Sequence, residues 1–207
     1  MAAIVRSLMR ALGGLGDIAF ILPAAVALTI ALILLGARRE AGAFVSALVA
    51  CAVLMTAEKL AFAVCGRAAV IPGIDSPSGH AALGSAFYGC CAALLAAGRP
   101  PVQRMALYAL AVLLALAVAY GRVAAQAHTV AEVIVGLLTG AVATALFVVL
   151  RGPPRRLTAP PVALTTLTPL ILALLALDLA LLSDRWTAES YIAQIALALG
   201  RNLHLCR

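Results

Sequence analysis

The sequence alternates long apolar runs with short groups of charged, glycine and proline residues. Six runs are long enough, or nearly so, to cross the ~30 Å hydrocarbon core of a bilayer. They cover approximately residues 17–36, 41–65, 80–97, 104–121, 129–150 and 162–182, with turn residues at 37–40, 98–101 and 151–156. Residues 1–16 and 184–207 mix apolar and polar positions in the manner of helices that lie along a membrane surface. We therefore predict an all-α, integral-membrane bundle of six transmembrane helices, in one domain (1–207), with short interfacial terminal helices.

Composition agrees with this prediction and excludes a water-soluble globule. Of the 207 residues, 65% are hydrophobic and 11% are charged, and the mean hydropathy is +1.11; soluble domains carry roughly 25% charged residues. The net charge of +7 comes almost wholly from arginine. Basic loops beside anionic lipid headgroups explain this charge better than nucleic acid does. We expect the lipid bilayer, and no nucleic acid, as a partner.

Arginine placement predicts an orientation in the membrane. Three of the predicted connections share one side, and they hold Arg38, Arg39, Arg99, Arg104, Arg151, Arg155 and Arg156. This side is expected to be cytoplasmic, in a bacterial inner (plasma) membrane. The opposite side then faces the periplasm or the cell exterior.

Polar residues that could act in catalysis or bind an anion lie at helix ends on that opposite side: Lys59, Arg67, Ser78, His80, Arg122, His128 and Glu132. His128 and Glu132 are four residues apart on a predicted helix, so the carboxylate can hold one imidazole nitrogen and leave the other as a nucleophile. Arg122 can bind two phosphate oxygens in a fork. Pro77-Ser78-Gly79 precedes the third helix and predicts an anion site at its N-terminus. His80, in the first turn, can protonate a leaving alkoxide.

Structural interpretations of the same residues stay open at this point. Glu132 could serve only to neutralise Arg122, and Lys59 could pair with Glu58 or extend to the interface. Asp75 could cap or shape its loop. Asp178 is an acid within the sixth predicted span and has no obvious partner. The five cysteines show no metal or disulfide spacing and are interpreted as packing residues.

Three segments resemble the type 2 phosphatidic acid phosphatase superfamily, whose pattern is Lys-x6-Arg-Pro, Pro-Ser-Gly-His and Ser-Arg-x5-His-x3-Asp. The second is intact as Pro77-Ser78-Gly79-His80. The third runs from Gly121-Arg122 through His128 to Glu132, with Gly in place of Ser and Glu in place of Asp. In the first, seven residues separate Lys59 from Arg67, and Ala68 replaces Pro. The similarity covers residues 59–140.

The resemblance implies a six-helix membrane phosphatase that needs no metal or other cofactor. It implies a phosphohistidine on His128, with His80 as acid and then base. Lys59, Arg67, Ser78, Gly79 and Arg122 would bind the phosphoryl group. The expected substrate is a membrane lipid phosphate: phosphatidate, phosphatidylglycerophosphate, or a polyprenyl (di)phosphate such as undecaprenyl diphosphate. The alternatives are a lipid phosphotransferase of the same fold and a catalytically inactive membrane scaffold or transport protein.

Overall fold

The computed structural model describes residues 14–65 and 74–153 of the chain. Within these ranges it contains five α-helices and no strand. They are α1 (Ile18–Leu34), α2 (Arg38–Cys65), α3 (Gly79–Leu95), α4 (Pro101–Ala124) and α5 (Val130–Arg151). The first five predicted spans are thus helices. The sixth span (162–182), the tail helix (184–207) and most of the N-terminal segment (1–16) lie outside the described residues, so the count of six stays a prediction.

Helices α2 and α4 begin three residues earlier than the apolar pattern predicts. Helix α2 starts at Arg38 and includes Glu40 in its first turn. A carboxylate there stabilises the helix, because its negative charge interacts favourably with the positive end of the helix dipole. Helix α4 starts at Pro101 instead of residue 104, because proline is well tolerated at the first helical position, where no N–H bond is lost. With 24 residues, α4 is about 36 Å long and can cross a bilayer without standing upright.

Three of the helices in the described part of the chain are long and apolar enough to cross a membrane: the Arg38–Phe62 part of α2, then α4 and α5. Helices α1 and α3 are also apolar but have 17 residues each. Large apolar side chains face outward, among them Leu22, Leu113 and Leu138, which are 57–63% exposed. Soluble monomers rarely expose apolar patches of this extent, so length and exposure together indicate a membrane protein.

Helix α3 lies at the centre of the bundle and packs against all four other helices. Its buried positions are mostly small, such as Ala81, Ala82 and Ala86. Helix α5 approaches it through Gly136 and Gly140. A Cβ at Gly136 would collide with the Ser78 carbonyl, and one at Gly140 with the Ser85 hydroxyl and the Ala82 carbonyl. Glycine is required at both positions because the neighbouring backbone occupies the space of a side chain.

Substituting Gly140 with alanine is expected to destabilise the protein by about 1–3 kcal/mol, because backbone atoms of α3 must move to admit the methyl group. Thermal unfolding in detergent measures this loss. Gly42→Ala is the matched control, since nothing lies within 4 Å of a Cβ there. It should leave stability unchanged or raise it by up to about 1 kcal/mol through helix propensity. Equal effects of the two substitutions would contradict the close approach of α3 and α5.

The five helices alternate in direction, so the chain segments that join them lie at two ends of the bundle. One end is closed by arginines: Arg39 Nε donates to the Leu150 carbonyl at 3.3 Å, and Arg151 Nη1 donates to the Ala93 carbonyl at 2.6 Å. Phe44, Phe87 and Phe147 form an aromatic cluster in the core. The other end gathers the starts of α1, α3 and α5 with the final turns of α2 and α4. We call it the site end.

Candidate active site

Glu132, in the first turn of α5, joins two chain segments at the site end: the start of its own helix and the loop that leads into α3. Its Oε2 lies 3.1 Å from His128 Nδ1 and accepts the Thr129 N–H at 2.9 Å. Its Oε1 accepts the N–H groups of Asp75 and Ser76, at 2.9 and 2.8 Å. Both members of the His128–Glu132 pair have buried side chains, 7% and 6% exposed. One carboxylate therefore holds the imidazole and the loop that leads into α3.

The local sequence explains why Glu132 is held so firmly. Thr129 caps α5: its hydroxyl oxygen accepts the Glu132 N–H, and the Glu132 carboxylate accepts the Thr129 N–H. This reciprocal arrangement is a capping box. The Thr-x-x-Glu pattern could have been recognised in the sequence, and Thr129 was missed there. The cap keeps the carboxylate beside His128.

The hydrogen bond to Glu132 determines which nitrogen of the His128 ring carries the hydrogen and which carries the lone pair. A carboxylate accepts from Nδ1–H, so Nε2 carries the lone pair in the neutral imidazole. Burial lowers the pKa of His128 below its ordinary value; the Glu132 bond opposes this, and the charges of Arg122 and Lys59 lower the pKa further. The ring is thus held neutral and nucleophilic at neutral pH.

Two cations accompany His128. Arg122 lies in the last turn of α4, and its buried Nε has no hydrogen-bond partner among the described residues. Lys59, on α2, is 9% exposed, and a Cβ at Gly79 would come 3.8 Å from its Cε. The neighbouring Glu58 accepts a hydrogen bond from the Thr139 hydroxyl at 2.9 Å, which fixes this turn of α2 against α5. The positive charges of Arg122 and Lys59 both lower the pKa of His128. The two cations therefore lie at the same site as this histidine.

The start of α3 contributes the second segment. Ser78 is the helix cap: it is fully buried, and its hydroxyl oxygen accepts the Ala81 N–H at 3.5 Å. The Ser78 N–H donates to the Glu132 carbonyl at 3.1 Å. Gly79 and His80 follow in the first helical turn, where N–H groups have no intrahelical acceptor and suit an anion. Ser78 thus shapes the helix start, with only its hydroxyl hydrogen left to donate.

His80 has a partner that sequence reasoning missed. Its Nε2 lies 3.3 Å from Oδ2 of Asp17, the residue that caps α1. The hydrogen bond with His80 holds the pKa of the Asp17 carboxyl below its usual value, and the charge of Arg122 acts in the same direction. Asp17 appeared in the sequence only as the first residue of an apolar run.

Of the predicted site residues, Lys59, Ser78, Gly79, His80, Arg122, His128 and Glu132 lie at the site end. Arg67 lies outside the described residues. Among residues 14–65 and 74–153, no group of three or more His, Cys, Asp or Glu side chains could hold a metal ion. What the arrangement offers is an imidazole–carboxylate pair, a second such pair, and two cations.

Comparison with known proteins identifies the family. Residues 64–156 match the family model described as the PAP2 superfamily. The chain is 37% identical over 137 residues to the "Uncharacterized 22.5 kDa protein in cps region" of Klebsiella pneumoniae, an alignment that covers 66% of each protein. No solved structure matches. The family match contains the segments around His80 and His128, and it places residues 64–156 of this helical, membrane-type protein in the PAP2 superfamily.

Proposed function

We propose that this protein is a lipid phosphate phosphatase that works through a phosphohistidine on His128. The observation that carries the proposal is the bonding of Glu132, which links His128 to the loop leading into His80. A buried neutral imidazole with an oriented lone pair suits attack on phosphorus. Membership of a superfamily in which phosphatases are common supports this reaction class.

The proposed reaction has two steps. His128 Nε2 attacks phosphorus and the P–O bond to the leaving group breaks; this group is the lipid alkoxide, or the lipid monophosphate when the substrate is a diphosphate. Protonated His80 gives its proton to the leaving oxygen. Water then attacks the phosphohistidine, His80 takes a proton from the water, and the P–N bond breaks to release phosphate. Arg122, Lys59 and the first N–H groups of α3 neutralise the phosphoryl oxygens in both steps. Arg67, predicted from the first motif, is proposed as a further phosphate ligand.

A membrane lipid is the proposed substrate because the site lies at the end of helices that can cross a bilayer. A headgroup can reach the site end while its acyl or prenyl chain stays in the membrane. The cluster of Arg39 and Arg151 at the opposite end supports an orientation with that end in the cytoplasm. The site then faces the periplasm or exterior of a bacterial inner membrane.

Phosphate release from a panel of lipids tests the function. The full chain, purified in detergent with a chelator, is given phosphatidate, phosphatidylglycerophosphate or undecaprenyl diphosphate, with glycerol 3-phosphate as the lipid-free control. We expect free phosphate from at least one lipid and much less from the control. No release from any lipid by folded protein would overturn the proposal. Phosphate transferred to an added acceptor lipid, with none set free, would instead indicate a phosphotransferase.

The lowered pKa of His128 predicts the pH dependence of this activity. Attack requires the neutral ring, so kcat/KM should fall on the acid side only below the ordinary imidazole value of about 6.5. Arg122→Gln should move this acid limb to higher pH, because a charge that lowers the pKa is removed. Substrate ionisation is the same for both proteins and cancels in the comparison. A limb that does not move, or moves down, would contradict the coupling between Arg122 and His128.

A further inference from the structure

Asp17 makes two separate contacts with its two carboxylate oxygens. Oδ1 accepts the Ala19 N–H at 3.1 Å and caps α1. Oδ2 lies 3.3 Å from Nε2 of His80, on α3. Capping of α1 uses only Oδ1, so Oδ2 is available to contact the histidine. Aspartate does more here than a serine or threonine cap would do, since those caps have a single oxygen.

The turn that carries Asp17 is held against α3, the helix that carries His80. The Tyr88 hydroxyl, on α3, donates to the Leu15 carbonyl at 2.7 Å. Gly16 lies so close to α3 and α4 that a Cβ there would reach the His80 carbonyl oxygen at 2.7 Å and would collide with Val118. Asp17 N–H donates to the Gly14 carbonyl at 3.0 Å, which closes the turn. Contacts independent of the carboxylate thus bring Asp17 to the histidine.

The Asp17–His80 pair is more open than the His128–Glu132 pair. The side chains of His80 and Asp17 are 27% and 42% exposed, against 7% and 6% for His128 and Glu132. Accessibility suits a histidine that must meet a leaving alkoxide and later a water molecule. The buried pair suits a nucleophile.

We propose that Asp17 is the positioning residue of the acid–base histidine, a role that rests on the function proposed above. Asp17 accepts the Nε2–H of His80, which leaves Nδ1 to give a proton to the departing alkoxide. After that transfer His80 is neutral with Nε2–H still on Asp17, and Nδ1 has the lone pair that takes a proton from water. The contact with the carboxylate thus determines which ring nitrogen exchanges the proton in both steps.

The test uses two substrates that differ in their need for an acid. A long-chain alkyl phosphate needs protonation of its leaving oxygen, whereas nitrophenyl phosphate releases a phenolate that needs none. Asp17→Asn keeps a capping side chain and removes the charge. We expect its kcat/KM to fall about 10- to 100-fold for the alkyl ester, and by less than about 3-fold for the aryl ester. Asp17→Ser, which also retains a cap, should show the same selective loss and serves if the asparagine variant does not fold.

Tyr88→Phe is the control for the turn itself. It removes the hydrogen bond to Leu15 and leaves the Asp17 carboxylate in place, so any loss should be equal for the two esters. Equal losses in the Asp17 variants, or none, would overturn the role of Asp17 while phosphate release by the unchanged protein upholds the phosphatase. Absence of phosphate release by the unchanged protein would overturn the phosphatase itself.

Discussion

Replacing His128 with alanine is expected to abolish phosphate release, with a loss of roughly 10⁴-fold or more in kcat. The imidazole supplies the electron pair for the new P–N bond, and alanine has no atom that can replace it. Glu132 would remain, yet a carboxylate without its imidazole cannot form the same intermediate. Lipid phosphatase assays on the purified variant measure the loss.

Matched histidine variants make this result specific. The chain has three histidines, His80, His128 and His204, and the same substitution can be made at each. His204→Ala should retain activity, because His204 is in none of the three motifs. Rapid quenching of the unchanged protein with a radiolabelled lipid phosphate should give an acid-labile phosphoprotein, and His128→Ala should give none. A phosphoprotein, or full turnover, in His128→Ala would eliminate His128 as the nucleophile.

Much of the fold was predictable because the bilayer constrains it. Every backbone polar group must be paired within the membrane, so long apolar runs become helices. The boundaries of α2 and α4 were less predictable, since Arg38–Glu40 and Pro101 resemble turn residues but are also acceptable in a first helical turn. Residues 14–16 were predicted only as the end of an interfacial helix, and nothing in the sequence indicated that Gly16 is the point where the turn before α1 meets α3.

The candidate site was predictable only where its partners are close in sequence. The His128–Glu132 contact follows from i,i+4 spacing on a helix and is observed at 3.1 Å. The contact of His80 with Asp17 joins residues 63 positions apart and depends on how α1 packs on α3. No periodicity encodes such a contact. Even so, a capping aspartate is a polar group at a helix end on the site side, and this was a signal available in the sequence.

Glu132 stands where the family motif has aspartate, and its contacts with the Asp75–Ser76 backbone could not be predicted from the sequence. An aspartate side chain at 132 would be one methylene shorter. The glutamate instead spans the site, with Oε2 toward His128 and Thr129 and Oε1 toward the Asp75–Ser76 backbone. The departure from the family pattern therefore coincides with a connection between the two histidine-bearing segments. Orientation of His128 and the position of the loop before His80 depend on the same side chain.

Glu132→Gln is expected to reduce kcat by roughly 10³- to 10⁴-fold and to lower stability by about 1–3 kcal/mol. Each carboxylate oxygen accepts two hydrogen bonds, so an amide NH2 in either orientation confronts two donors. If it faces His128, the ring loses the acceptor that fixes its tautomer. If it faces the loop, the backbone N–H groups of Asp75 and Ser76 lose theirs. Activity assays and thermal unfolding in detergent measure the two effects.

Glu132→Asp separates the two functions of the side chain, because the charge remains and the reach is shortened. We expect it to keep more activity than Glu132→Gln and to lose stability, since one carboxylate of that length cannot serve His128 and the Asp75–Ser76 loop together. Glu40→Gln is the matched control: Glu40 also lies buried in a first helical turn, but at the arginine-lined end of the bundle. It should leave kcat unchanged. Normal kcat in Glu132→Gln would show that His128 does not depend on this carboxylate for its orientation, which the proposed mechanism requires.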